Sequence, residues 1–133
     1  MNLSVGAVVL AAGEGKRLKL NAPKPLAPCL DKKLVDFPLK ELKRFFNTNS
    51  LKGTVTAVIG HQRDLVKGYI ETRYPEIKYA IQEKQLGTAD ALMAYFNSSE
   101  ETKKYDLTLV ICADTPVVSE AELSAMFKEF SNG

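Results

Sequence analysis

The sequence lacks several features that would place a protein in a specialised class. Its 133 residues hold one histidine and two cysteines, Cys29 and Cys112, which lie far apart and match no metal-ligand spacing. No apolar run approaches the roughly 20 residues of a membrane span, and there is no repeat, low-complexity stretch or Pro/Gly-rich linker. We therefore expect one undivided domain with reduced thiols, and neither a histidine-based metal site nor a membrane partner.

Charge and the N-terminal residues narrow the class further. The net charge of +2 gives no argument for a nucleic-acid partner. The first residues, 1–12, are apolar and precede the lysines, which is the reverse of a signal peptide, so we expect a cytoplasmic protein. Residues 1–50 hold nine Lys/Arg against four Asp/Glu. This local excess suits an anionic small ligand, although a solvated lysine-rich face would look the same.

Four short apolar runs predict β-strands, and four segments at helical spacing predict helices. The expected strands are Val5–Leu10, Val55–Ile59, Ile77–Ile81 and Leu107–Cys112, the first and last covered on both faces. The expected helices span about 36–46, 63–73, 88–96 and from Ser119 onward. Strand–helix alternation predicts an α/β, Rossmann-like fold with a mainly parallel sheet and flanking helices.

Helix caps and core-facing residues follow from the same patterns. Asp36, Thr88 and Ser119 are expected to cap the first, third and fourth helices, and Glu122 completes a capping-box pattern with Ser119. The apolar side chains at helical spacing are expected to face the core, among them Leu65, Met93, Met126 and Phe130.

In a parallel sheet, ligands bind beyond the carboxyl ends of the strands, and the segment after the first strand is unusual there. Leu10-Ala11-Ala12-Gly13-Glu14-Gly15-Lys16-Arg17 has small residues that let backbone N–H groups approach a phosphate, and cations that would neutralise it. A plain strand-to-helix turn would also explain the glycines. The dinucleotide fingerprint is excluded because Leu18 replaces its third glycine, and the P-loop motif does not occur.

Two further segments carry polar groups suited to a nucleotide. Lys24 lies between Pro23 and Pro25, so its backbone is stiff, although a solvent-exposed loop lysine is the alternative. Gln82 follows the third strand and offers a paired donor and acceptor, as a uracil edge requires. Gly87 permits close backbone approach after it, whereas a polar loop before a helix is the alternative reading.

An aspartate directly follows the fourth apolar strand, in Ala113-Asp114-Thr115-Pro116. A carboxylate at the end of a buried strand is desolvated unless a cation meets it. Where phosphates are close, that cation is a hard one with oxygen ligands, in practice Mg²⁺. A helix-capping or turn aspartate is the alternative.

The four segments in this order resemble the sugar-1-phosphate nucleotidyltransferase superfamily, and most closely its N-acetylglucosamine-1-phosphate uridylyltransferase domain. The motifs LAAGEGKRL and PKPL are fairly specific for the superfamily, QEKQLGTADA favours uridylyl and thymidylyl members, and ADTP matches the metal-binding motif. The resemblance spans residues 5–130. It implies a magnesium-dependent enzyme that joins UTP to a sugar-1-phosphate and releases pyrophosphate.

Residue roles follow from the resemblance position by position. It implies that Arg17 and Lys24 are catalytic and that Asp114 ligates Mg²⁺. It implies nucleotide binding by the first loop, by Lys24 and by the segment after the third strand, which together give Leu10, Ala11, Ala12, Gly13, Glu14, Gly15, Lys24, Gln82, Gly87 and Thr88.

Two departures from the family pattern weaken the expectation of independent activity. Ala113 replaces the glycine that usually precedes the metal-binding aspartate. The family's catalytic domain is also longer than 133 residues, so we expect a nucleotide-binding part truncated at its C-terminus. A non-catalytic nucleotide-binding module and a cytidylyl- or guanylyltransferase of the same superfamily stay open, as does a homo-oligomer.

Overall fold

A computed structural model describes residues 3–13, 23–113 and 119–132. The strands are β1 (Val5–Leu10), β2 (Pro28–Cys29), β3 (Lys32–Lys33), β4 (Val55–Ile59), β5 (Lys78–Ile81) and β6 (Leu107–Cys112). The α-helices are α1 (Asp36–Thr48), α2 (Arg63–Arg73), α3 (Thr88–Asn97) and α4 (Glu120–Asn132). All four long strands and all four helices expected from the sequence are present. The short hairpin β2–β3 was not expected.

The four long strands form one parallel sheet in the order β5-β4-β1-β6. β1 pairs with β4 on one side and with β6 on the other, with Leu10 opposite both Val58 and Cys112. Residues of α1, α2 and α4 pack on one face of the sheet, and residues of α3 pack on the other. The α/β prediction with a mainly parallel sheet is confirmed, and no helix in the described ranges is long and apolar enough to cross a membrane.

The sheet faces differ from the expectation at β6. β1 is buried on both faces, because Val8 packs under α3 while Val5 and Val9 meet the opposite core. In β6 only one face is covered: Ile111 is buried, whereas Val110 is 46% exposed. The expectation that β6 is covered on both faces is therefore wrong for the described part of the chain.

Several apolar residues expected in the core lie at the surface. Met93 is 56% exposed because α3 meets the sheet through Ala91 and Tyr95, which lie one turn apart on the opposite stripe. The other exposed residues of this kind are Leu65, Met126 and Phe130.

Two of the three expected helix caps are wrong. Thr88 is the first helical residue rather than the cap, and Gly87 takes the cap position. Asp36 also lies inside its helix, after Val35. Ser119 does cap α4, since its Oγ accepts a hydrogen bond from the Glu122 N–H at 3.2 Å.

Asp36 instead joins α1, α2 and the hairpin. Its buried carboxylate accepts hydrogen bonds from the Lys33 N–H at 2.9 Å, from the Tyr74 hydroxyl at 2.8 Å and from the Tyr69 hydroxyl. Burial alone would raise the pKa of Asp36, but these hydrogen bonds outweigh it and hold the pKa below its ordinary value. Burial and the Asp36 charge raise the pKa of Tyr69 to about 12, so its hydroxyl stays a donor at neutral pH.

The lowered pKa of Asp36 predicts a pH-dependent contribution to stability. A carboxyl whose folded pKa is depressed stabilises the fold above its ordinary pKa of 3.8, and this contribution is lost as pH falls through the folded pKa. We expect Asp36→Asn to lower the free energy of unfolding by about 1.5–3 kcal/mol at pH 7, and by less near pH 3. Urea denaturation at both pH values measures this difference. The exposed Asp31→Asn is the control, and an equal loss at both pH values would contradict the assignment.

Candidate functional site

A cleft opens at the carboxyl edge of the sheet, where sequence analysis placed the ligand. Backbone hydrogen bonds beyond the strand ends fix its rim: the Ala11 N–H donates to Val58 O at 2.8 Å, and the Ala113 N–H donates to Leu10 O at 3.0 Å. The residues that line it are Leu10, Ala12, Gly13, Lys24, Pro25, Gln82, Gln85, Gly87, Thr88, Ala91, Cys112 and Ala113.

The cleft brings together most of the predicted nucleotide-binding residues that the structure describes. Residues after β1, around Lys24 and after β5 lie on one wall system although they are far apart in sequence. Ala11 is the exception, because its side chain is 1% exposed and packs in the core. Glu14, Gly15, Arg17 and Asp114 lie outside the described residues.

Lys24 reaches the cleft from a short 3-10 turn. The Leu26 N–H donates to Pro23 O at 2.9 Å and the Ala27 N–H donates to Lys24 O at 3.0 Å, so both flanks of the lysine are held. Its side chain passes over the loop after β1, with Cδ 3.6 Å from where a Cβ on Gly13 would stand. Of the described residues that line the cleft, Lys24 is the only charged one. The wall is thus cationic at one point and otherwise neutral.

Gln82 forms the opposite wall and is 5% exposed. Its backbone N–H donates to Ile59 O at 2.8 Å, which continues the β4–β5 ladder by one residue. Its side-chain Nε2 donates to Gly87 O at 3.2 Å and to Asp90 Oδ2 at 2.9 Å. The sequence predicted a paired donor and acceptor here, but the donor is already engaged within the protein. Only the carbonyl end remains for a ligand.

Gln85 and Asp90 are polar residues of this site that sequence reasoning did not identify. The Gln85 Nε2 donates to Ala12 O at 2.5 Å and so ties the loop after β5 to the loop after β1. Gly60 allows this approach, because a Cβ there would lie 2.9 Å from Gln82 O and 3.0 Å from the Gln85 Nε2. A second glutamine three residues after Gln82 was the only available signal.

Gly87 turns the chain from the loop into α3. Its φ of 99° and ψ of −178° lie in a region that only glycine occupies readily. This conformation directs its carbonyl to Gln82 and starts the helix at Thr88. The predicted role of Gly87 in close backbone approach therefore has a conformational basis.

A larger cavity lies elsewhere, between the β2–β3 hairpin, α1 and α2. Its volume is about 680 Å³ against about 220 Å³ for the cleft. We call it the cationic groove after five residues that line it: Lys32, Lys40, Lys43, Arg44 and Arg73. None of its described lining residues is a predicted site residue.

Comparisons with known proteins agree with this geometry. The family model described as nucleotidyl transferase matches residues 6–132. A bifunctional protein GlmU from Exiguobacterium sp. is 34% identical over 120 residues, which cover 90% of this chain and 24% of that protein. The chain thus spans about a quarter of this curated relative.

Solved structures share the fold at low sequence identity. A 4-diphosphocytidyl-2C-methyl-D-erythritol synthase from Anaerococcus prevotii superposes with a TM-score of 0.73 at 14% identity, over 98% of this chain and 52% of that one. A manganese complex of Rv0371c from Mycobacterium tuberculosis gives 0.71 at 16% identity, over 99% of this chain and 62% of that one. At these identities the likeness shows the fold alone.

The conformation of Gly87 predicts opposite effects of alanine at two glycines. Gly87→Ala should lower the free energy of unfolding by about 1–3 kcal/mol, because a side chain is strained at this φ although space is open. Gly68→Ala is the matched control: it lies within α2, also in open space, and should raise stability by about 0.4–1 kcal/mol. Urea denaturation of both variants measures the effects, and a neutral Gly87→Ala would contradict the assigned strain.

Proposed function

Since the chain belongs to the nucleotidyl transferase family, we propose that its cleft binds UTP for transfer of the uridylyl group to a sugar-1-phosphate. One observation carries this proposal. The cleft unites a small-residue backbone at Ala12 and Gly13, a cation at Lys24 and a buried amide at Gln82. Phosphate, charge and base recognition thus have separate groups within one cavity.

The base would lie against the wall formed by Gln82 and Gly87. The Gln82 carbonyl would accept a hydrogen bond from the uracil N3–H, and the Gly87 N–H would donate to the adjacent O4. Thr88 lines the same part of the cleft, at the start of α3. A thymine base presents the same edge.

The triphosphate would extend from the base towards the loop after β1. Backbone N–H groups around Ala12 and Gly13, continuing to Glu14 and Gly15, would surround the phosphates. Lys24 and Arg17 would neutralise charge at the transferring phosphorus.

A divalent metal ion, proposed to be Mg²⁺, would be held by the carboxylate of Asp114, since hard cations prefer oxygen ligands. The chain enters the Asp114 segment from Ala113, which lines the cleft. Within the described ranges no group of three or more acidic, histidine or cysteine side chains could hold a metal. When bound, the ion would offset phosphate charge.

The chemistry needs no general base. A sugar-1-phosphate oxygen is already anionic at neutral pH, so it can attack the α-phosphorus of UTP directly. The new P–O bond forms as the bond to the β-phosphate oxygen breaks, and pyrophosphate leaves. The protein's task is to bring two anions together in line and neutralise their charge, which is the role proposed for the two cations.

The sugar phosphate is proposed from the motif resemblance, which favours N-acetylglucosamine-1-phosphate. Because the chain spans about a quarter of its curated relative, the complete reaction is a proposal for this chain. UTP binding without pyrophosphate release in the presence of that sugar phosphate would instead favour a nucleotide-binding module.

The assignment of Lys24 to phosphate predicts a selective loss of affinity. Lys24→Ala should weaken UTP binding by about 1.5–3 kcal/mol, the value of a charge-assisted hydrogen bond, and leave uridine binding nearly unchanged. Isothermal titration calorimetry with UTP and uridine, each with Mg²⁺, measures both. The control is Lys128→Ala, an exposed lysine of α4. Equal losses for UTP and uridine would refute the assignment.

A further inference from the structure

The orientation of the Gln82 amide is set by two partners that can only accept hydrogen bonds. One is the backbone carbonyl of Gly87 and the other is the carboxylate of Asp90. A glutamine amide has one donating end and one accepting end. With two acceptors beside it, the nitrogen must face them, and Oε1 must point the other way. Because Gln82 is almost fully buried, a reversed amide would leave its polar groups unpaired, which is costly.

Asp90 acts on this amide from outside the cleft. It is half-buried in the first turn of α3 and lines a shallow surface pocket on the far side of Gln82. Gln82 is the residue that lines both this pocket and the cleft. Its amide therefore forms the partition between them, with the nitrogen drawn towards Asp90 and the carbonyl left for the cleft.

We propose that Asp90 is a positioning residue that determines base selectivity by fixing the polarity of the Gln82 amide. The proposal rests on the proposed function, in which uracil donates its N3–H to the Gln82 Oε1. Cytosine carries an unprotonated N3, so the same position would set two acceptors against each other. A reversed amide would present N–H to the cleft and accommodate cytosine instead.

The direct test is Asp90→Asn, measured by calorimetric affinity for UTP and CTP with Mg²⁺. The asparagine amide can donate to the Gln82 Oε1, so the reversed orientation becomes stable. We expect the natural chain to prefer UTP by about tenfold or more, and the variant to lose about tenfold of that ratio. Asp90→Glu keeps an acceptor-only carboxylate and should retain the preference.

The matched control is Asp64→Asn, which removes an acidic side chain from the first turn of α2 as the test variant does in α3. Both variants lose the same favourable interaction with a helix N-terminus, so a difference between them isolates the contact with Gln82. We expect Asp64→Asn to leave the UTP-to-CTP ratio unchanged.

A second measurement tests the orientation without nucleotide. In the natural chain the Gln82 side-chain NH2 protons should exchange slowly with solvent by NMR, because both are hydrogen-bonded, and Asp90→Ala should accelerate their exchange. Unchanged exchange, or an unchanged UTP-to-CTP ratio in Asp90→Asn, would overturn the role of Asp90 and leave the proposed function standing. Failure of the natural chain to bind UTP, or a preference for CTP, would overturn the proposed function and this inference together.

Discussion

The parallel pairing of β1 on both of its edges is the constraint on which the rest of the structure depends. β4 and β6 each place a carboxyl end beside Leu10, so three chain segments leave the sheet at one point. Hydrogen bonds from the N–H groups of Ala11, Gln82 and Ala113 extend the ladders just past the strands. The cleft is thus a direct consequence of strand order, and its polar residues need only occupy the first positions after each strand.

Contacts between loops then convert this edge into a specific surface. Gln85 holds the carbonyl of Ala12, and Gln82 is held by Gly87 and Asp90. Each of these bonds joins a side chain amide to an acceptor of the protein, which leaves defined atoms for a ligand. The cationic groove is larger and carries more positive charge, but this amide wall lies in the cleft. Volume and charge would therefore favour one cavity for a triphosphate, and the chemistry of a base favours the other.

The sequence predicted what depends on local pattern and missed what depends on distant partners. Apolar runs located the long strands because burial on a sheet needs little beyond period and length. Asp36 has the composition of a helix cap, but its partners Tyr69 and Tyr74 lie 33 and 38 residues away, and they decided its role. Met93 fits the helical stripe as well as Tyr95 does, and only the packing of α3 on the sheet distinguishes them.

The candidate site was predictable to a similar degree. Strand ends and motif resemblance nominated Lys24, Gln82 and Gly87, and the structure brings these residues into one cleft. The state of the Gln82 amide could not be predicted, because Asp90 reads as an ordinary acidic residue of a first helical turn. Its significance comes from a hydrogen bond that appears only when β5 and α3 are packed together.

The most direct test of the central claim is an NMR titration of the ¹⁵N-labelled chain with UTP and Mg²⁺. Binding in the cleft predicts that the largest amide shift changes centre on Gly13, Gln82 and Gly87 and saturate together. Changes centred on Lys40 and Arg73 would place the triphosphate in the cationic groove and contradict the account, as would the absence of any saturable change.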